Sequence, residues 1–158
     1  MFVVTTNTNL SPTACPSGFQ KIEDFCFAKN NEEKTFTEAT SACQQLGGYL
    51  VEPRSGNIST AVRAFSFQSD HMWIGLRDTA QNQYVYLWQT DNAALSYTDW
   101  DSHGSQPNNA GGNQHCAALN FNHRWDDIAC ELKHEYLCQA HSTGESLFHN
   151  ILPFLFQI

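Results

Sequence analysis

Oxygen-bearing side chains cluster at two places in this sequence, each beside a cysteine. One run is Gln106-Pro107-Asn108, followed by His115-Cys116, and the other is Trp125-Asp126-Asp127 just before Cys130. Amides and carboxylates that converge without thiolate or imidazole suit a hard cation such as Ca²⁺, which takes about six to eight oxygen ligands. Cys116 and Cys130 lie close enough in sequence to be bridged, and that bridge would hold the two clusters together. An oxygen-lined Ca²⁺ site open on one side can also accept the vicinal hydroxyls of a sugar.

Other chemistries fit less well. No Ser or Cys nucleophile shows a partnered base. Asp99, Asp101, Asp126 and Asp127 could suggest a carboxylate pair for hydrolysis, but adjacent acids beside a cysteine fit ion binding better. No catalytic residue is expected, and the chain is not read as an enzyme. The seven histidines show no His-Glu-x-x-His or other zinc spacing and read as scattered surface residues. His103, His115 and His123 are the ones close to the presumed site in sequence.

The elements that must position these residues are legible in outline. Cys15 to Phe27 reads as a short hairpin punctuated by Gly18 and Asp24. Thr35-Phe36-Thr37-Glu38 is a capping box, and Phe36, Ala39, Cys43 and Leu46 then recur at helical spacing until Gly47-Gly48. A shorter helix is expected around 59–67, with Ile58, Val62 and Phe65 on one face. Strand-like runs follow at Met72–Leu76, Tyr84–Trp88, Cys116–Phe121 and Glu135–Gln139. Between roughly 89 and 115 the chain is rich in Asn, Asp, Ser and Gly, and a loop that long inside a compact domain is usually functional. Trp73, Trp88, Trp100 and Trp125 are expected in the core rather than stacked on ligand.

Composition narrows the function classes. A chain of 158 residues is most economically one domain with a core of its own. Six cysteines, none in a Cys-x-x-Cys pair, make a disulfide set plausible and a zinc ribbon unlikely; spacing alone leaves fifteen connectivities open. Bridged cysteines imply an oxidising, secreted setting. Asn57-Ile58-Ser59 is a glycosylation sequon, and Asn9-Leu10-Ser11 is a second one weakened by Pro12. A net charge of −8 argues against a nucleic-acid partner, and no apolar run reaches the roughly eighteen residues that cross a bilayer. Phe2-Val3-Val4 is too short for the apolar core of a signal peptide, so the chain is expected to be a mature segment behind Met1. Residues 1–12 read as a loose arm. Residues 142–158 form an apolar tail broken by Pro153, with self-association, and so a homo-oligomer, one use for it.

Trp73-Ile74-Gly75-Leu76, Gln106-Pro107-Asn108, Trp125-Asp126-Asp127 and the order of the six cysteines together resemble the C-type lectin-like domain over residues 13–141. The run from Gln106 to Cys116 further resembles the secreted, shell-associated lectins of the perlucin type. The resemblance implies an α+β fold of two small antiparallel sheets, two flanking helices and a long Ca²⁺-binding loop. It implies the long-form bridges Cys15–Cys26, Cys43–Cys138 and Cys116–Cys130. It also implies Ca²⁺ ligands at Gln106, Asn108, Gln114, Asp126 and Asp127, with a cis peptide before Pro107 and the Asp127 carbonyl as a further ligand. Glycans are the implied partners, with Gln106, Asn108, Gln114 and Asp126 bonding the same sugar hydroxyls. An auxiliary ion site would fall on Asp78, Asn82, Asn109 and Gln114; with one carboxylate among the four it is expected to be empty.

Two departures matter. Gln114 stands where the family usually has Glu, and Asp126 stands where it usually has Asn. Gln106 and Asn108 are both amides, where sugar-binding members usually pair one acid with one amide. Asp126 and Asp127 are then the only anionic ligands, which lowers the expected affinity for the ion. Because an amide donates and accepts while a carboxylate only accepts, neither hydroxyl orientation is enforced. The expectation is a secreted lectin of weak discrimination with a lean to galactose or GalNAc, innate immune recognition being among the implied roles. The competing class is a lectin-like domain that binds a non-sugar partner or a mineral or ice surface.

Overall fold

A computed structural model describes residues 14–65, 67–79 and 84–143. The arm at 1–12, Asn9, Asn82 and residues 144–158 of the tail lie outside the described residues.

The chain opens with the expected hairpin, β1 (Gln20–Ile22) and β2 (Phe25–Lys34), the second strand running well past Phe27. Helix α1 (Phe36–Gln45) starts where the capping box places it: Thr35 Oγ1 accepts the Glu38 amide, and the Glu38 carboxylate accepts the Thr35 amide at 2.9 Å. Phe36, Ala39 and Cys43 turn its apolar stripe inward. After β3 (Tyr49–Leu50) comes α2 (Gly56–Val62), which begins and ends earlier than the 59–67 expected. The apolar periodicity continues to Phe65, but the helix stops at Arg63 and Phe65 instead packs edge-on against Phe27, ring centroids 5.5 Å apart. Tertiary packing overrides the local pattern there.

The remaining strands are β4 (His71–Asp78), β5 (Tyr86–Trp88), β6 (Cys116–Asn120), β7 (Trp125–Ile128) and β8 (His134–Ala140). Along the sheet the order is β1-β2-β8-β4-β6-β7, with β3 also on β8 and β5 also on β4. The antiparallel groups expected from sequence are joined into one mixed sheet by a short parallel pairing of β4 and β8, Met72 opposite Glu135 and Trp73 opposite Tyr136. Further along β4, Gly75 passes close to the end of β3, its amide donating to the Val51 carbonyl. A Cβ there would come within 2.8 Å of the Leu50 carbonyl oxygen, so only glycine lets β4 pass.

Two apolar clusters cover the two faces of the sheet. One gathers Phe27, Ile58, Val62, Met72, Trp88, Trp125 and neighbours; the other gathers Phe36, Cys43, Leu50, Trp73, Ala118, Ile128 and Tyr136. Trp73, Trp88 and Trp125 are fully buried, and Trp100 packs half-buried against the first cluster. Disulfides join Cys15 to Cys26, Cys43 to Cys138 and Cys116 to Cys130, the pairing the resemblance implied. No helix among the described residues is long and apolar enough to cross a membrane.

Candidate functional site

The long loop, residues 101–115, folds back over the β6–β7 hairpin, and the Cys116–Cys130 bridge ties its end to the far side of β7. None of its side chains is fully buried, so packing does not hold it. Polar contacts do. The Gln106 amide donates to the Asp101 carbonyl at 3.0 Å, and Asp101 in turn donates its own amide to the Trp125 carbonyl at 2.9 Å. The Asp101 carboxylate accepts the His103 amide and the Asn120 side-chain amide, and these bonds hold it below the ordinary carboxylate range.

Asp127 is the anchor of the loop. It is fully buried on β7, its Oδ1 accepts the Asn108 amide at 2.9 Å and its Oδ2 accepts the Asn109 amide at 2.7 Å. The Tyr86 hydroxyl lies 3.3 Å from Asp127 Oδ2 and 3.3 Å from the Gln114 carbonyl, one proton shared between two acceptors. Burial, then the neighbouring Asp127 charge, push the Tyr86 phenol far above its ordinary value, so that proton stays in place. The loop closes on itself as well. Asn109 Oδ1 accepts the Gln114 amide at 2.9 Å, while the Ala110 amide is shared between Asn108 Oδ1 and Gln114 Oε1. Asn109 takes a left-handed conformation (φ 45°), which its short polar side chain tolerates. The Gln106–Pro107 peptide is cis, as the resemblance implied. Gln106 Oε1 is shielded from solvent and has no hydrogen-bond partner among the described residues.

Three of the five expected ligands, Asn108, Gln114 and Asp127, are therefore linked in one polar network, and Gln106 is tied to the loop only through its backbone amide on the Asp101 carbonyl. Asp126 is not part of it. Neighbours on a strand point to opposite faces: Trp125 and Asp127 face the loop side, while the Asp126 carboxylate meets His71 Nε2 at 3.0 Å. His71 packs edge-on against His134, and His134 against Trp73. Burial, then the nearby His71, lower the affinity of His134 for a proton. Of the residues in the auxiliary site, Asn109 serves the loop and Asp78 Oδ1 lies 2.9 Å from His115 Nδ1. Asn57 is exposed at the start of α2, whereas Ser59 of its sequon is buried.

The donor set fits a hard cation held weakly. Gln106 Oε1 is a buried acceptor awaiting a partner, and carboxylate and amide oxygens that already accept one hydrogen bond keep a further lone pair. Among Gln106, Asn108, Gln114 and Asp127, only Asp127 carries formal charge. Among the described residues no three His, Cys, Asp or Glu side chains gather in a metal-binding group, so the donors on offer are amides around one carboxylate.

Comparison with known proteins agrees with this architecture. The Lectin C-type domain matches residues 32–140. The chain belongs to the C-type lectin family. A perlucin-like protein of Mytilus galloprovincialis is 31% identical over 136 residues, 81% of this chain and 84% of that protein. The C-type carbohydrate-recognition domain of cow CD23, solved in the presence of an oligosaccharide, superposes with a TM-score of 0.73 at 26% identity, covering 84% of this chain and 99% of that one. A calcium-independent type II antifreeze protein shares the fold at 22% identity, TM-score 0.70, over 82% of this chain and 95% of that one.

Tyr86 and His71 escaped sequence reasoning, and Asp101 figures there only as part of a carboxylate pair. Nothing local marks Tyr86 as the partner of Asp127. The alternation of Trp125-Asp126-Asp127-Ile128 as a strand, however, already separates the two aspartates.

Proposed function

We propose that this C-type lectin domain is a secreted, calcium-dependent carbohydrate-binding protein of broad, weak specificity that leans to galactose or GalNAc. The observation that carries the reading is the cis Gln106-Pro107-Asn108 segment, pinned through backbone amides to buried Asp127 while Gln106 Oε1 is left without a partner. Gln106, Asn108, Gln114 and Asp127 would hold the ion. The ion would supply a coordination point for two neighbouring sugar hydroxyls, and the amides of Gln106, Asn108 and Gln114 would donate to and accept from the same oxygens. Three disulfides support the secreted setting. Broad recognition of this kind suits innate immune surveillance of foreign glycans.

Tyr84 supports the galactose lean. Residues 109–115 hold no Trp or Tyr, but Tyr84, 52% exposed, places its hydroxyl 3.5 Å from the Asn108 carbonyl. Its ring is available beside the loop for the apolar face of galactose.

A second reading has its own observation. Asp126 is committed to His71, and both Asp127 oxygens already accept protein donors, so the loop holds its shape through protein contacts alone. That arrangement suits a lectin-like domain that binds a non-sugar partner or a mineral or ice surface without calcium. Retention on immobilised galactose separates the two. The first reading expects retention that falls with chelator and falls in Asp127→Ala; retention that neither changes, or none at all, contradicts it.

A further inference from the structure

The turn between β6 and β7 and the segment after α2 enclose a cleft of about 350 Å³, away from the long loop. Three rings, Phe67, Phe121 and His123, and three polar residues, Gln68, Ser69 and Asp70, line it. Phe121 is 77% exposed at the tip of the turn. A single exposed apolar side chain needs no explanation by itself. The construction around this one does.

Both walls are fixed by buried polar groups. Asn120, only 5% exposed, accepts the amides of Asn122 and Arg124 on its side-chain oxygen and donates its side-chain amide to Asp101, so the turn that carries Phe121 is rigid. His123 is held by a contact of its Nε2 with the Phe65 carbonyl at 3.0 Å, and its ring meets Phe67 edge-on. On the other wall, Glu135, 1% exposed, accepts the backbone amides of Gln68 and Ser69 and lies 3.5 Å from Lys29 Nζ. Ser69 Oγ donates to the His71 carbonyl. A buried carboxylate is thus committed to shaping a short surface segment that ends in an open cleft. Walls fixed before binding reduce the entropy that a weak ligand must otherwise offset.

We propose that this cleft is a second carbohydrate subsite, independent of calcium, that takes one pyranose ring of a neutral glycan. A pyranose presents an apolar C–H face and a rim of hydroxyls. The aromatic rings offer a flat apolar surface for the first, and exposed Gln68 and Asp70 offer acceptors and a donor for the second. The volume lies at the small end of the range for ligand sites, roughly 300–1,000 Å³. No Lys or Arg lines the cleft and Asp70 does, which disfavours an acidic sugar. One exposed phenyl in polar surroundings falls far short of the about 800 Å² per partner that a stable protein interface buries. No expected ligand of the ion lines the cleft, so the inference rests on the carbohydrate reading of the chain but not on its calcium site.

The test uses amide NMR spectra of the full chain in chelator, with methyl galactoside, methyl mannoside, maltotriose and tri-N-acetylchitotriose as probes at millimolar concentration. At least one probe is expected to shift the Phe67, Phe121 and His123 signals. Phe121→Ala, which removes no core contact, is expected to abolish those shifts with the rest of the spectrum unchanged, and Asp70→Asn to weaken binding about tenfold, the loss of one charge-assisted hydrogen bond. The inference is overturned by cleft signals that no probe moves, by shifts that need calcium, by shifts that survive Phe121→Ala, or by shifts that follow protein concentration without sugar, which would mean self-association. Signals from Asn108 to Gln114, followed in calcium in a parallel series, report the loop site separately. A failure there leaves the cleft result standing, and the reverse also holds.

Discussion

Around Trp125 the rings of Trp88, Tyr97 and Trp100 pack edge-on with centroids no more than 5.8 Å away, whereas from residue 101 to 115 not one side chain is fully buried. The first region is held by apolar area, and the Cys43–Cys138 bridge staples the opposite face of the same sheet across 95 residues. The second hangs on hydrogen bonds, chiefly the two backbone amides donated to Asp127. Hydrogen bonds exchange water for protein partners at a net of only about 0.5–1.5 kcal/mol each, while buried apolar area gains without such an exchange. The loop can therefore change its chemistry without endangering the sheet. This is a physical reason why one fold serves both a carbohydrate-recognition domain and a calcium-independent antifreeze protein.

The sharpest break of this contrast is at the bridge. Replacing Cys43 and Cys138 by Ser should cost roughly 4–5 kcal/mol of stability, since the bridge closes a loop of 95 residues. Denaturant midpoints measure this, and loop and sheet signals should then be lost together. Asp127→Ala should cost less, about 1–3 kcal/mol, because the amides it abandons can reach water once the loop lifts. Its mark is local: hydrogen exchange should accelerate at Asn108 and Asn109 while β4 and β8 stay protected. Equal acceleration in both regions would erase the distinction.

Acid should act on the sheet side. Burial alone would raise the Glu135 carboxyl, but the Ser69 and Gln68 amides and Lys29 outweigh it and hold the group below its ordinary 4.5. The unfolded chain then binds the proton more readily. The contribution of Glu135 is complete above pH 4.5 and is lost as pH falls from there through the lower native value. Melting temperature should drop over that window, and Glu135→Gln should flatten the drop. The smallest effect on stability belongs to Tyr84→Ala, within about 0.5 kcal/mol at an exposed site. Its galactose affinity should nonetheless fall roughly three- to tenfold, the worth of one aromatic contact. No change in affinity would remove Tyr84 from the site.

What could be read from sequence follows the same division. The capping box at Thr35–Glu38, the Trp73–Leu76 strand and the three bridges rest on local patterning or on motif order, and the structure contains them. The parallel contact of β4 with β8 joins residues about sixty apart by chain position, and no local pattern encodes it. In the loop, the residue types at Gln106, Asn108, Gln114 and Asp127 were legible, but the partner each would choose was not. Asp126 shows the reason. As a residue type it belongs to an ion site, and only its place on β7, one step out of phase with Asp127, sends it to His71.

On the proposed function, the amide-rich loop binds calcium weakly and binds sugar only through it. Isothermal titration calorimetry of the full chain tests this most directly, with calcium added first and methyl galactoside second. The expected calcium dissociation constant is that of weak extracellular sites, about 10⁻⁴–10⁻³ M, with sugar heat at the loop only after calcium, both absent in Asp127→Ala. No calcium heat at millimolar concentration, or sugar heat that is equal with and without calcium and insensitive to Asp127→Ala, would contradict it.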